Sequence, residues 1–210
     1  PLNNIPKERF KNIKISEAIK HPNWKMGKKI SVDSATMMNK VFEIMEAKKI
    51  FNLNYESLDI LVHPSSYVHA IVKFNDGMVK IIAHDTNMKI PIFNSLHNSE
   101  KKIKTDELDI KRLNFLDLKN VDTDKFPSIK IIKQLKNNES SLETLIVLAN
   151  DILVDLFLLK KIYFTDIVSV LQKLINMKKF KNYRLKKINN INSIILLNNQ
   201  IRQTINDMIK

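Results

Sequence analysis

The chain has 210 residues, 44% of them hydrophobic, enough to bury one good core or two small ones. Its formal net charge of +13 would suit an anionic partner, but the lysines are scattered among many Asn and Ile residues and not gathered with aromatics on one element, so nucleic-acid binding is only a minor alternative. The absence of cysteine excludes disulfides and thiolate metal sites, and no apolar run reaches the length of a membrane span.

In chain order, residues 1–20 read as a loop followed by a short helix, with Ser16 as a candidate cap. Pro1-Leu2-Asn3-Asn4 carries neither a signal peptide nor an initiating Met, so the chain is expected to be part of a longer polypeptide. His21 to Lys29 reads as a loop opened by His-Pro and loosened by Gly27, with Trp24 and Met26 as large apolar residues outside any period. A lone Trp in such a place usually just anchors the loop on a core. A helix is predicted from Ala35 to Lys49, free of Gly and Pro, with Asp33 and Ser34 as N-cap candidates. Met38, Val41 and Met45, flanked by Phe42 and Ile44, form its core stripe. Asn39 and Glu43 are four apart and Lys40 and Glu43 three apart, so the three side chains are neighbours. Ser34 at the helix start, with Asn39 and Lys40 one to two turns in, suits a phosphate, and Glu43 offers the hard oxygen that Mg²⁺ or Mn²⁺ prefers. Caps and Lys–Glu pairs are also common on ordinary helix surfaces, and residue types alone leave both readings open.

Leu58 to His63 reads as a strand ended by Pro64, and Tyr67–Phe74 with Met78–His84 as a hairpin turning at Asn75-Asp76-Gly77. An antiparallel or mixed sheet with helices, an α+β arrangement, follows. Residues 98–126 read as a connecting segment, with Leu113 to Leu118 giving a local contact or short strand. Beyond Pro127, apolar spacing predicts four helices, Ser128–Lys136, Ser141–Lys160, Thr165–Met177 and Ser193–Lys210, as a C-terminal four-helix bundle. Within it, Ala149-Asn150-Asp151 reads as a helix-packing site and Phe164-Thr165-Asp166 as an N-cap. The expected division is residues 1–97, 98–126 and 127–210. With only Gly27 and Gly77 present, a dinucleotide turn of the G-x-G-x-x-G kind is excluded, so no Rossmann domain is expected in this chain.

His21-Pro-Asn-Trp-Lys-Met-Gly-Lys-Lys-Ile-Ser-Val-Asp-Ser-Ala-Thr-Met-Met-Asn-Lys40 closely resembles the signature segment of the 1-deoxy-D-xylulose 5-phosphate (DXP) reductoisomerase family. His63-Pro64-Ser65-Ser66, His69, Met88-Lys89-Ile90-Pro91-Ile92, Phe126-Pro127-Ser128-Ile129-Lys130 and Phe164-Thr165-Asp166-Ile167 are similar to further landmarks, so the likeness runs over roughly residues 15–170. The resemblance implies part of an NADPH- and divalent-metal-dependent enzyme of the non-mevalonate isoprenoid pathway. Such an enzyme rearranges a phosphorylated ketose by retro-aldol cleavage and re-addition, then reduces it to 2-C-methyl-D-erythritol 4-phosphate. It also implies Mg²⁺, Mn²⁺ or Co²⁺ as the metal, a homodimer, phosphonohydroxamate inhibitors, and no nucleic-acid or membrane partner.

For individual residues, the resemblance implies that Ser34, Asn39 and Lys40 bind phosphate and hydroxyls and that Glu43 completes the metal site. Glu46 is expected to steady that site without touching the metal. Glu43, His21 and Lys40 would be the catalytic set. His21, Trp24 and Met26 would belong to a flap that closes over substrate and excludes water. Ser66, His69 and Met88 would lie near substrate, with Met88 also near the nicotinamide. The cofactor domain and the family's Asp-Ser-Glu metal trio are then expected upstream of Pro1, leaving this chain inactive alone. Val41 stands where glycine is common, Ser65 where glutamine is common, His84–Asn87 in place of a Gly-Glu-Pro-Asp-like turn, and Ala149-Asn150-Asp151 in place of a longer phrase. The other reading is a non-catalytic dimerisation or interaction module. The Lys/Asn/Ile-rich composition points to a plastid-type organelle (an apicoplast), with a bacterial cytoplasm as the alternative.

Overall fold

The structure, a computed structural model, describes residues 2–21, 24, 26–98 and 100–209. Among these the elements run α1 (Ile15–Ala18), α2 (Lys28–Ala35), α3 (Met38–Phe51), β1 (Leu61–Val62), β2 (Val68–Lys73), β3 (Val79–Ala83), α4 (Lys89–Leu96), α5 (Ile110–Asn114), β4 (Lys119–Asn120), α6 (Leu142–Leu158), α7 (Phe164–Ile175) and α8 (Ile191–Ile209). Short 3-10 helices lie at Lys7–Asn12, Tyr55–Ser57, Pro127–Gln134 and Lys178–Arg184. Contacts divide the chain into two compact units. One holds residues up to 21, 26–59 and from 122 on; the other holds Trp24 and residues 60–121. No helix among the described residues is long and apolar enough to cross a membrane.

The first unit is built on α6. Leu142, Leu145, Ile146, Ala149 and Leu153 follow the helical repeat along one face and are buried. They form a core with Leu171, Leu174 and Ile175 of α7 and Leu197, Ile201 and Ile205 of α8, the two helices α6 packs on. Each such side chain contributes about 1.5–3 kcal/mol by leaving water. An aromatic chain closes one end: Phe10 meets Phe126 and Phe164 edge-on at 5.7 and 5.9 Å, and Phe157 meets Phe164 at 5.7 Å. The α7 N-cap is Tyr163, just ahead of the expected Phe164-Thr165-Asp166, and Asp166 reaches back from the first turn, its Oδ2 accepting the Tyr163 N–H at 2.8 Å.

Three departures from the sequence reading concern this unit. Ser128–Lys136 is not an α-helix but lies largely in the 3-10 stretch Pro127–Gln134, so three α-helices, not four, make the C-terminal bundle. Buried Ser128 and Ile131 are three apart, a spacing that both helix types satisfy. Helix already begins at Lys28, inside the expected loop. The predicted Ala35–Lys49 helix is really two, interrupted at Thr36 and Met37, where Met37 takes the left-handed conformation with φ 63°. Asp33 and Ser34 therefore sit in the last turn of α2 and cap nothing.

The second unit carries the antiparallel hairpin that the sequence predicts. β2 pairs with β3 from Val68↔Ala83 to Lys73↔Val79, and the turn uses Gly77 at φ 90° with Asp76 Oδ1 accepting the Met78 N–H at 2.9 Å. Its strands are exposed along most of their length. The Leu58–His63 strand shrinks to Leu61–Val62, because its partner β4 offers only two residues. In the expected connecting segment, α5, capped by Asp109 Oδ1 accepting the Arg112 N–H at 3.0 Å, takes up the start of Leu113–Leu118, and the short strand, β4, follows just after it.

The polar tie between α2 and α6 is the most exacting feature of the first unit. Asp33 is 1% exposed; its Oδ1 accepts from Asn150 Nδ2 at 2.8 Å, and Lys29 Nζ lies 2.8 Å from its Oδ2. Removing the carboxylate strands a buried amide. Asp33→Ala is expected to lower the stability of the chain by about 2–4 kcal/mol, and Asp33→Asn by about 1 kcal/mol, in urea unfolding followed by circular dichroism.

Candidate functional site

The helix interruption is made by side chains, not by a glycine or proline. Thr36 Oγ1 donates toward the Val32 and Asp33 carbonyl oxygens at 3.1 and 3.2 Å, closing the end of α2, and accepts the Met38 N–H at 3.4 Å, opening α3. Buried Ser128 Oγ then takes the Thr36 carbonyl at 2.6 Å. With that carbonyl committed elsewhere, the helix does not continue through it, and the unbranched Met37 accepts a left-handed geometry that costs about 1–2 kcal/mol. Beyond α3, Tyr55 Oη donates to Glu143 Oε1 at 3.0 Å and the Tyr55 N–H to Asn137 Oδ1 at 2.9 Å, so the helix is fixed past both ends.

The interruption changes where the polar residues fall. Asn39 and Lys40 lie in the first turn of α3, not one to two turns in, at the positive end of the helix, which favours an anion. Asn39 Nδ2 donates to Glu43 Oε1 at 2.6 Å and Lys40 Nζ to Glu43 Oε2 at 2.7 Å, so the three side chains meet as their spacing predicts. Lys40 and Glu43 side chains are 43% and 47% exposed, accessible to a ligand. Half-buried His21 is held below its ordinary value, by burial first and by the charge of Lys40 as well, which favours the neutral ring. Ser34 and Met26 are half-buried, and Glu46 is exposed one turn beyond Glu43.

Periodicity did not reveal a further polar set, buried at Asp33 and Asn150 and half-exposed at Lys29 and Asp151. Lys29 Nζ lies 2.8 Å from both Asp33 and Asp151 and 5.1 Å from the centre of the Phe42 ring. Burial alone would lower the Lys29 pKa, but the two carboxylates outweigh it and raise it. Burial pushes Asp33 above its usual range against the pull of Lys29 and Asn150. Ala149-Asn150-Asp151 is thus a helix-packing site, as expected, but a polar one. The one signal for it in the sequence is an Asn-Asp pair inside an otherwise apolar helix.

In the second unit, Ser66 is half-buried with φ 52°, a left-handed residue at the entry to β2. His69 lies on β2 with its ring against His84 and Trp24, the centroids 3.6 and 6.2 Å apart. Met88 is 54% exposed at the start of α4. Ser65 Oγ and His63 Nε2 are hydrogen-bonded at 2.7 Å.

The family model described as the 1-deoxy-D-xylulose 5-phosphate reductoisomerase C-terminal domain matches residues 1–51, and that described as the DXP reductoisomerase C-terminal domain matches residues 84–204, more than half of the chain. The chain belongs to the DXP reductoisomerase C-terminal domain family. It is 55% identical over 209 residues to the 1-deoxy-D-xylulose 5-phosphate reductoisomerase of Pelagibacter ubique, covering 99% of this chain and 54% of that protein. With the reductoisomerase of a Sulfurihydrogenibium species it shares 39% identity over 196 residues, 93% of this chain and 52% of that protein. A crystal structure of DOX-P reductoisomerase in complex with NADPH, fosmidomycin and magnesium superposes with a TM-score of 0.90 at 30% identity, covering 99% of this chain and 52% of that one. The Zymomonas mobilis enzyme in complex with NADPH gives 0.83 at 27% identity, covering 100% of this chain and 53% of that one. The chain thus spans about half the length of the relatives it matches. Both named sequence relatives are bacterial, which gives the plastid expectation no support.

The DXP reductoisomerase residues present here fit only part of a metal site. A divalent cation takes about six oxygen ligands, whereas no group of three His, Cys, Asp or Glu able to hold one occurs among the described residues. Glu43 can supply one exposed carboxylate. For NADPH the chain has no glycine-rich turn, with Gly27 ahead of α2 and Gly77 in the hairpin as its two glycines, so its residues do not form a dinucleotide phosphate site. The His21 environment is directly testable. In an NMR titration its ring should titrate below the ordinary 6.5, and Lys40→Met should move the midpoint up without returning it fully, since burial remains. A lowered folded-state pKa means that the stability His21 contributes is present above the unfolded value and lost as pH falls through the folded one.

Proposed function

We propose that this chain is the C-terminal part of an NADPH- and divalent-metal-dependent reductoisomerase that converts 1-deoxy-D-xylulose 5-phosphate to 2-C-methyl-D-erythritol 4-phosphate. The observation that carries the reading is the Asn39–Lys40–Glu43 cluster at the start of α3, in a chain whose family is established. Lys40 and Asn39, in the positive first turn of α3, bind the substrate phosphate, and Ser34 adds a hydroxyl from the end of α2. Glu43 supplies one oxygen to a Mg²⁺, Mn²⁺ or Co²⁺ ion, and the bound ion would polarise substrate oxygens. His21, its neutral ring favoured, orients a hydroxyl by hydrogen bonding and does not place a second cation beside Lys40. Trp24 and Met26 exclude water as flap residues, while Ser66, His69 and Met88 are substrate contacts, Met88 near the nicotinamide as well.

The remaining ligands of the metal and the NADPH site are placed in the half of the relatives that this chain does not cover. In that arrangement residues 1–97 serve catalysis, 98–126 connect, and 127–210 support. Exposed Ile71, Val72, Ile81 and Ile82 on the hairpin favour a homodimer, phosphonohydroxamates such as fosmidomycin are the expected inhibitors, and a bacterial cytoplasm is the expected location.

The decisive variant is Glu43→Gln in the full-length protein. It keeps shape and the Asn39 contact but removes the charge, and kcat/KM is expected to fall at least about 100-fold, with the metal concentration for half-activation rising. Unchanged metal dependence would remove Glu43 from the site.

A further inference from the structure

The phenylalanines that close one end of the first unit leave a cavity of about 160 Å³ among them. Three short segments build it: the 3-10 helix from Lys7, the run Asp124-Lys125-Phe126-Pro127, and the start of α7. Each sets a buried ring, Phe10, Phe126 or Phe164, within three residues of a charged or hydroxyl group on the same lining. Phe10, Phe126, Phe164 and Val168 are each at most 6% exposed and form an apolar floor. Apolar space of about 150 Å³ is enough to take one benzene ring. Thr36 also lines the cavity, but its hydroxyl is committed to the Val32 and Asp33 carbonyl oxygens, so polar recognition is left to the charged groups.

Those charges are positive on balance. Lys7 and Lys125 both line the cavity, and among the described residues neither pairs with a carboxylate. Asp124, the acid on the same lining, is taken by Lys130 at 2.7 Å. That hydrogen bond, with the charges of Lys130 and Lys7, holds the Asp124 carboxyl below its usual range. Lys125 Nζ lies 5.8 Å from the centres of both the Phe10 and the Phe126 rings and donates to the Asn3 carbonyl, which fixes it over the floor. An ammonium group has three donors, so two remain. A cationic ligand would be repelled here, and a neutral ring would leave both lysines without a partner.

We propose that this cavity is a binding site for a small aromatic carboxylate, with its ring among Phe10, Phe126 and Phe164 and its carboxylate on Lys7 and Lys125. Every lining residue belongs to the first unit, and Asn39, Lys40 and Glu43 are not among them. The site is therefore separate from the proposed phosphate site at the start of α3.

The experiment uses the full-length protein with benzoate as the probe, in the absence of NADPH, metal and DXP. Calorimetry should show one saturable site with a Kd of about 0.1–1 mM, the range open to so small a ligand. Lys7→Met and Lys125→Met should each weaken benzoate about threefold and together about tenfold, whereas benzamide, the same shape without the charge, should bind parent and variants alike. Val168→Phe, which fills the floor, should remove both ligands. Lys7 is exposed, so Lys7→Met keeps the test decisive even where a change at Lys125 or Val168 costs the fold. No saturable binding to the folded protein up to about 10 mM benzoate would overturn the proposal. So would binding that Lys7→Met leaves unchanged, or benzoate displaced by DXP, which would place it at the start of α3 instead. Neither probe is turned over, so a protein inactive on DXP would sink the functional reading and still show whether this site exists.

Discussion

The Asp33 carboxylate, out of water between Asn150 and Lys29, is the constraint on which the proposed substrate site of α3 depends. A buried carboxylate is expensive unless every lone pair finds a donor, and its burial does raise the Asp33 pKa. That cost makes the docking of α2 on α6 specific: sliding either helix by one residue would separate Asp33 from Asn150 and leave both unsatisfied. Asp151, also within reach of Lys29, adds a more exposed contact to the same tie.

From that fixed point the geometry follows outward. With α2 pinned, Thr36 closes it, Ser128 takes the Thr36 carbonyl, and Met37 turns the chain into α3. Because α3 begins at Met38, its positive end coincides with Asn39 and Lys40, and Glu43 falls one turn on, bridged by both. The second unit solves its own positioning problem by other means. There a bulge and a stacked ring hold His69 on a two-stranded hairpin whose faces are largely exposed. In both units strained or irregular backbone, at Met37 and at Ser66, adjoins the residues proposed to meet substrate, where such strain is commonly stored.

Much of this was legible from residues alone, in particular places. The Asn39, Lys40 and Glu43 contacts follow from helical spacing, the hairpin from Asn75-Asp76-Gly77 between alternating strands, and α6 and α7 from their apolar repeats. The interruption at Thr36 was not legible, because its cause is a hydroxyl 92 residues away and no Gly or Pro marks it. For the same reason Asp33 and Ser34, good caps by type, were read as starting a helix whose predecessor they end. The 3-10 stretch at Pro127–Gln134 escaped because three-residue spacing fits either helix. The His69–His84 stack was hidden by the bulge, which breaks the alternation that sequence reading assumes. Long-range side-chain contacts decided each of these, whereas local periodicity decided the parts that were read correctly.

The proposed phosphate site at the start of α3 depends for its affinity on the Asp33–Asn150 tie and on the Ser128–Thr36 hydrogen bond, which fix where the helix begins. The most direct measurement is the dissociation constant of DXP, by calorimetry, for full-length protein carrying Ser128→Ala. This change removes the hydroxyl that takes the Thr36 carbonyl and adds no bulk. The expected result is a folded protein that binds DXP about five- to tenfold more weakly, the loss of one buried hydrogen bond expressed at the ligand. Unchanged affinity in a folded Ser128→Ala protein would contradict that dependence, and would mean that α3 holds its ligand groups in place without the Ser128–Thr36 hydrogen bond.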